Sequence, residues 1–169
     1  MWGLLLQKLK MGRLTEKGKF VEITPKSSIL PIGFRQSLQI RHLDCGSCNG
    51  CDWELTALIN SVYDLQHYGI DFVASPRHAD LLMCTGSGST HLLASARETY
   101  EAMAKPKWVM AVGDCAIDGG VFKEAYASNK GIGGVLPVDF KVPGCPPSPE
   151  GLINALLEIM SKKKIEPRT

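Results

Sequence analysis

From Ser37 onward the apolar and polar positions change period several times, and each change marks an element. SLQIRHL (37–43) alternates apolar and polar residues, the period of a strand with two unlike faces. WELTALINSVYDL (53–65) then spaces its apolar residues as a helix does. IDFVAS (70–75) and ADLLMCT (79–85) are short apolar runs that suit buried strands. THLLASARETYEAMA (90–104) puts Leu92, Ala96, Tyr100 and Met103 on one side of an amphipathic helix, and Pro106 follows its end. KWVMAVG (107–113) reads as another buried strand, and VLPVDFKV (135–142) as a further one. SPEGLINALLEIMSKKK (148–164) closes the pattern as a helix, with Ser148 as N-cap, Pro149 at the first helical position and lysines at the end. Strands separated by helices predict an α/β fold, a parallel sheet with helices on both faces.

The first 36 residues behave differently. Trp2, Leu5, Leu6 and Leu9 fall at helical spacing among Lys8, Lys10 and Arg13, and Pro25, Pro31 and Gly33 then break the pattern. This divides the chain into a basic, amphipathic extension (1–36) and a domain (37–169). Charge sharpens the division. Through Arg41 there are eight Lys/Arg against Glu16 and Glu22, a net of +6, and the remainder is at −4. A basic, partly apolar leader on a slightly acidic body predicts an arm that docks on a partner or a membrane surface. With no binding motif and no interleaving of basic and aromatic residues in the body, nucleic acid is not an expected partner. Composition is that of a globular protein, 44% apolar and 21% charged. No apolar run approaches the length of a membrane span, and the start lacks the uninterrupted apolar stretch of a secretory signal. A cytoplasmic setting is therefore expected, where clustered thiols stay reduced and bind metal more readily than they pair.

Six cysteines are the candidate chemistry. Cys45, Cys48 and Cys51 follow the first strand as CGSCNGC, Cys115 follows KWVMAVG, and Cys145 follows VLPVDFKV. Five thiols thus fall just past the carboxyl ends of predicted strands, the edge where open α/β sheets bind ligands. Cys84 lies inside ADLLMCT and is expected to pack as a small apolar residue. A C-x-x-C pair plus two distant loop cysteines supplies four thiolates, enough for a cubane iron–sulfur cluster or a structural zinc, with a redox dithiol as the remaining option. Cys145-Pro146 and the Gly- and Pro-rich loops GDCAIDGG and VPGCPPSP favour iron. Such loops bring backbone amides near sulfur. Spacing alone leaves the register open, since either Cys45–Cys48 or Cys48–Cys51 can supply the pair.

DCGSCNGCDWE, SPRHADLL, GDCAIDGG and VPGCPPSPE, in this order, resemble the small electron-transfer subunit of energy-converting, membrane-bound nickel–iron hydrogenases, the formate hydrogenlyase type included. The 20-kDa subunit of respiratory complex I belongs to the same family. The resemblance covers roughly residues 37–160 and implies a flavodoxin-like fold with one 4Fe–4S cluster. Carried onto this chain, the ligands are Cys48, Cys51, Cys115 and Cys145, and Cys45 is a neighbour. The complex I subunit has two adjacent cysteines where this chain has Gly50-Cys51, which favours the hydrogenase branch; the alternative is the equivalent relay to a quinone or sulfur-reducing site. The resemblance further implies a large catalytic subunit, a ferredoxin-like iron–sulfur subunit and integral membrane subunits as partners. It places the chain peripherally on the cytoplasmic side of the membrane.

Beyond the ligands, Glu54 is expected on the first turn of its helix. There it would stabilise the helix dipole or, by resemblance, handle protons near the cluster. Arg77, and less so His78, are expected near the cluster by resemblance, where a fixed positive charge raises its potential. Asp80 is expected to order its loop. TGSGST (85–90) reads as a flexible, phosphate-loop-like turn without the lysine of a Walker motif. GIGGV (131–135) is no complete dinucleotide fingerprint. By the same resemblance, nickel and iron are held by two C-x-x-C pairs in the large subunit. This chain lacks them, so it is not expected to turn over hydrogen alone.

Overall fold

The computed structural model describes residues 37–161. Five strands form one sheet: β1 (Leu38–Asp44), β2 (Ile70–Phe72), β3 (Leu81–Thr85), β4 (Trp108–Val112) and β5 (Phe140–Val142). Every pairing is parallel and the order is β2-β1-β3-β4-β5, the flavodoxin-like winding expected from the resemblance. Among the described residues four α-helices accompany them: α1 (Gly50–Ala57), α2 (Leu93–Ala102), α3 (Asp114–Asp118) and α4 (Pro149–Ser161).

LLMCT and WVMAV are apolar throughout because both faces of the sheet are covered. Leu81, Met83, Trp108, Met110 and Val112 face one core with Leu55 of α1 and Leu152 and Leu156 of α4. Leu82, Cys84, Val109 and Ala111 face the other with Ala96 of α2, Met103 and Ala116. Two aspartates at strand entries lock the register by the same device. Asp80 Oδ2 accepts the Gln39 N–H at 2.9 Å while its own N–H donates to Gln39 O. Asp139 Oδ2 accepts the Val109 N–H at 2.9 Å while its N–H donates to Val109 O. Asp80 therefore orders its loop, as expected.

Three segments depart from the sequence reading. The helix expected over 53–65 starts at Gly50 and stops at Ala57. Leu55, Leu58 and Leu65 are buried as the spacing demands. However, Asn60 Oδ1 accepts the N–H of Val62 and Tyr63, and Asp64 takes a left-handed backbone (φ 40), so turn chemistry ends the helix. The strand expected over 135–142 shortens to Phe140–Val142, because Val135 and Leu136 N–H groups already donate to Ile132 O in a turn and Pro137 has none to give. The glycines of TGSGST are packed, not loose. A Cβ on Gly86 would come within 2.5 Å of the Gly46 backbone, and one on Gly88 within 2.6 Å of Gly131 O. Glycine is needed there for close backbone approach at positive φ.

Ser148 caps α4, accepting the Gly151 N–H at 3.2 Å, with Pro149 at its first position. The extension (1–36) and the closing lysines lie outside the described residues. Among the described residues no helix is long and apolar enough to cross a membrane.

Candidate functional site

The carboxyl ends of β1, β4 and β5 meet at one edge, and each leads into a cysteine loop. After β1, Asp44 Oδ1 accepts the N–H of Gly46 and Ser47 at 2.8 and 2.7 Å, turning the chain sharply. The Ser47 hydroxyl accepts the Asn49 N–H at 3.0 Å. The left-handed residue that aims the loop into α1 is Asn49 (φ 66), and not Gly50, which is already helical. Cys51 is consequently in the first turn of α1, near its positive end, and buried, while Cys48 is exposed.

After β4, Gly113 (φ 84) opens α3, whose first turn carries Cys115. Asp114 ties this loop to the one after β5. Its N–H donates to Gly144 O at 2.9 Å, and its Oδ1 accepts the Gly144 N–H at 2.8 Å. Cys145, exposed, follows directly. The three loops touch closely. A Cβ on Gly113 would stand 2.6 Å from Cys51 Sγ, and one on Gly120 3.2 Å from Cys115 Sγ.

Electrostatics groups the same four thiols. Burial pushes the Cys51 thiol up to about 11, helped by Asp52 and then by Cys115, Cys48 and Cys145. Cys115 is also raised, by burial first, then by Cys145, Cys48 and Asp114, against a backbone hydrogen bond from Val121 that favours the thiolate. Thiolates crowded in this way repel one another, and a cationic metal group relieves that repulsion as protons leave. Among the described residues no group of three His, Cys, Asp or Glu side chains is placed to hold a single metal ion.

Cys45 goes elsewhere. It is 1% exposed and packs in the opposite core, against Cys84. A hydrogen bond with Cys45 and then burial raise the Cys84 thiol well above its ordinary value. Odd positions of β1 face this side, and Cys45 continues that alternation one residue past the strand.

The remaining expected residues separate from the thiols. Glu54 is half-buried on the second turn of α1, and the first-turn carboxylate is Asp52. Arg77 and His78 are exposed in a 3₁₀ turn (Pro76–His78) packed on α2. That turn leads into the amino end of β3, whereas Thr85, at the other end, accepts the Cys45 N–H and faces the thiol edge. The structure does not bring the pair to the cysteines.

Sequence reasoning missed Asp52, which collects Ser47, Thr85 and His42. An acidic residue directly after a ligand-loop cysteine at a helix start was the available signal. It also missed the surface: Trp53, Val121 and Tyr126, in the segments that follow Cys51 and Cys115, are 73%, 80% and 98% exposed.

The family described as "NADH ubiquinone oxidoreductase, 20 Kd subunit" matches residues 48–159. The chain is 40% identical over 121 residues to a probable membrane-bound hydrogenase subunit of Pyrococcus furiosus, covering 72% of each chain. It is 42% identical over 118 residues to an NADH-quinone oxidoreductase subunit of Beutenbergia cavernae, covering 69% of this chain and 64% of that one. Among solved structures, a chain of the archaeal membrane-bound sulfane sulfur reductase superposes with a TM-score of 0.67 at 35% identity, over 76% of this chain and 71% of that chain.

Proposed function

Because the chain belongs to the 20 Kd subunit family of NADH ubiquinone oxidoreductase, we propose that it is the electron-relay subunit of a membrane-bound oxidoreductase complex and carries one 4Fe–4S cluster on Cys48, Cys51, Cys115 and Cys145. The observation that supports it most is the separation of the thiols: at one sheet edge Cys51 is raised in part by Cys115, Cys48 and Cys145, and Cys115 by Cys145 and Cys48, while Cys45 hydrogen-bonds Cys84 on the other face. Four thiols on three loops rich in Gly and Pro, with the Val121 N–H offered to the Cys115 sulfur, suit a cubane better than a structural zinc.

The cluster supplies one-electron chemistry when bound. The chain's own part is to hold four deprotonated thiols in place, to keep Cys51 and Cys115 mostly out of water, and to offer the Val121 N–H to sulfur. The apolar residues beside the loops form the face toward a large catalytic subunit. The electron comes from a ferredoxin-like iron–sulfur subunit, and the assembly sits on integral membrane subunits with this chain peripheral on the cytoplasmic side. The domain (37–169) carries the cluster, and the +6 leader fastens it to the membrane subunits or to anionic headgroups.

We assign the hydrogenase branch on Gly50-Cys51 and the membrane-bound hydrogenase relative. A second reading, the equivalent relay to a quinone or sulfur site, is supported by the quinone-oxidoreductase relative and the sulfane sulfur reductase structure. Two C-x-x-C pairs in the large-subunit partner decide for hydrogenase, and their absence decides against it. The protein purified anaerobically is expected to be brown, with about four irons and about four acid-labile sulfides per chain. Stoichiometric zinc without sulfide overturns the relay. Deleting residues 1–36 is expected to loosen membrane attachment while leaving the cluster spectrum intact. Unchanged attachment would count against the leader's role.

A further inference from the structure

Strand β1 outruns its neighbour. Its register with β2 ends at Ile40 opposite Phe72, while its ladder with β3 continues to Asp44. Even positions of β1 turn their backbone groups toward β2: Leu38 N–H donates to Gly69 O, and Ile40 O accepts the Val73 N–H. Odd positions turn toward β3, where Gln39 O accepts the Asp80 N–H and Cys45 N–H donates to Thr85 O. The N–H and C=O of His42 and Asp44 therefore point out of the sheet edge, and no described residue pairs with them. Beside them runs a groove of about 450 Å³, bounded by residues 41–44 and 72–74. Arg41 lies on the same face of β1 as Leu43, and its buried Nε has no hydrogen-bond partner among the described residues. An open strand edge and an unanswered guanidinium nitrogen thus share one groove. The first suits an extended segment, the second a carboxylate.

We propose that the chain's own leader closes this edge, with residues 20–24 adding a further strand antiparallel to β1. FVEIT (20–24) alternates as a strand does and is β-branched at Val21, Ile23 and Thr24. Placing Ile23 opposite His42 and Val21 opposite Asp44 gives both open positions a partner. It lays the two apolar side chains on the face where His42, Phe72 and Ile59 line a neighbouring pocket. Glu22 then falls on the other face, across from Leu43 and diagonal to Arg41, within reach of the unanswered Nε. Pro25 comes opposite Ile40, whose carbonyl is already taken from the β2 side, so the residue with no N–H arrives where pairing must stop. Residues 25–36 link this strand to Ser37 at the start of β1. Antiparallel entry gives them the short way round, and twelve residues reach about 40 Å when extended. An antiparallel edge strand on a parallel sheet is a common finish for a doubly wound fold. The basic stretch 1–19 stays free for the docking proposed above, and the inference does not depend on the cluster.

Hydrogen exchange of the full chain, alone and in its complex, tests this when read at single amides by fragmentation mass spectrometry. The His42 and Asp44 amides are expected to exchange at least about tenfold more slowly than in Ile23→Pro, which removes the N–H facing His42. Glu22→Arg is expected to release the same two amides, and adding Arg41→Glu to protect them again. Deleting residues 1–19, or placing a proline in the link by Ser28→Pro, is expected to change neither amide. The Leu82 and Val109 amides, inside the sheet, report that each variant is folded. Equal exchange at His42 and Asp44 in the wild type and Ile23→Pro overturns the inference. Protection seen only in the complex gives the edge to a partner subunit and overturns it as well. Full protection in Glu22→Arg overturns the placement of Glu22 on Arg41.

Discussion

Four thiols at the carboxyl edge of the sheet and two on its far face are the same functional group in two settings. Cys48, Cys51, Cys115 and Cys145 sit in loops or in the first turns of helices, where nothing in the sheet occupies their sulfurs. Cys45 lies just past β1 and Cys84 within β3, two residues apart in register on the same face, and they satisfy each other inside a core of Leu82, Val109 and Ala111. Position relative to the pleat therefore decides chemistry. A sulfur on a loop at the edge is available to a ligand, and a sulfur on an alternating strand face becomes packing.

The largest effect that tests this contrast is loss of the edge thiols. Cys48→Ser and Cys51→Ser are each expected to abolish or severely damage the cluster's spin-resonance signal, and Cys115→Ser and Cys145→Ser to do the same. Cys45→Ser is expected to keep a cubane with at most a shifted potential. Iron per folded chain is the accompanying measurement, since a misfolded loop also loses the signal. Cys45 essential with Cys51 dispensable would erase the distinction.

A second test leaves every sulfur in place and spoils only the space. Gly113→Ala would put a methyl 2.6 Å from Cys51 Sγ at a backbone angle of φ +84. That backbone (φ 84, ψ 157) is open essentially to glycine alone and costs another residue about 1–3 kcal/mol. The expected outcome is a folded chain with most of its iron lost, read by circular dichroism beside iron content. Full loading in Gly113→Ala would mean that the gap between Cys51 and the Cys115 loop is not the cluster's.

The far face is sharpened by the reverse measurement. Cys84→Ala removes a fully buried sulfur from a tight core and is expected to cost about 1 kcal/mol, the lower end for large-to-small core changes. Thermal unfolding should show a drop of several degrees while the cluster spectrum stays the same. A spectral change as large as that of an edge mutant would join the two regions that the fold separates.

How far the sequence announces this contrast depends on what each segment requires. LLMCT and WVMAV are legible because burial on both faces leaves one kind of residue. The loop cysteines are legible because strands end before them. Helix α1 is misjudged because Leu55, Leu58 and Leu65 keep a helical spacing and a buried fate through a turn that Asn60 and Asp64 impose. Periodicity reports burial, and only side-chain hydrogen bonding reports where the backbone leaves the helix. The glycines of TGSGST are misjudged for a related reason. A glycine that permits motion and one that permits contact look alike until the Gly46 and Gly131 backbones arrive from distant parts of the chain. Asp52 escapes notice because its partners His42 and Thr85 come from two other strands. The placement of Cys45, by contrast, was within reach: Leu38 and Ile40 fix the parity of β1, and position 45 falls on the opposite side.

The smallest effect expected is a pH dependence carried by the edge alone. In the metal-free chain Cys51 titrates near 11 against an ordinary value of 9.0, and Cys115 is raised as well. A thiol whose folded pKa is raised binds its proton more tightly in the native state. Its contribution to stability is complete below the unfolded value and is lost as pH rises through the folded one. The apo protein should therefore lose stability between about pH 9 and 11, seen as a falling urea midpoint. Cys51→Ala should flatten part of that fall. Cys84 is raised too and would add to the same window, so the Cys84→Ala background isolates the edge. Bound metal reverses the sign, because it requires the thiolates and competes with protons. A chain loaded with cadmium, as a redox-inert thiolate ligand-seeker, should instead weaken as pH drops, releasing metal as protons return to Cys48, Cys51, Cys115 and Cys145. If apo and loaded protein lost stability in the same direction, the crowded thiols at the edge would not be the ones the metal holds, and the separation between edge and core would fail at its chemical root.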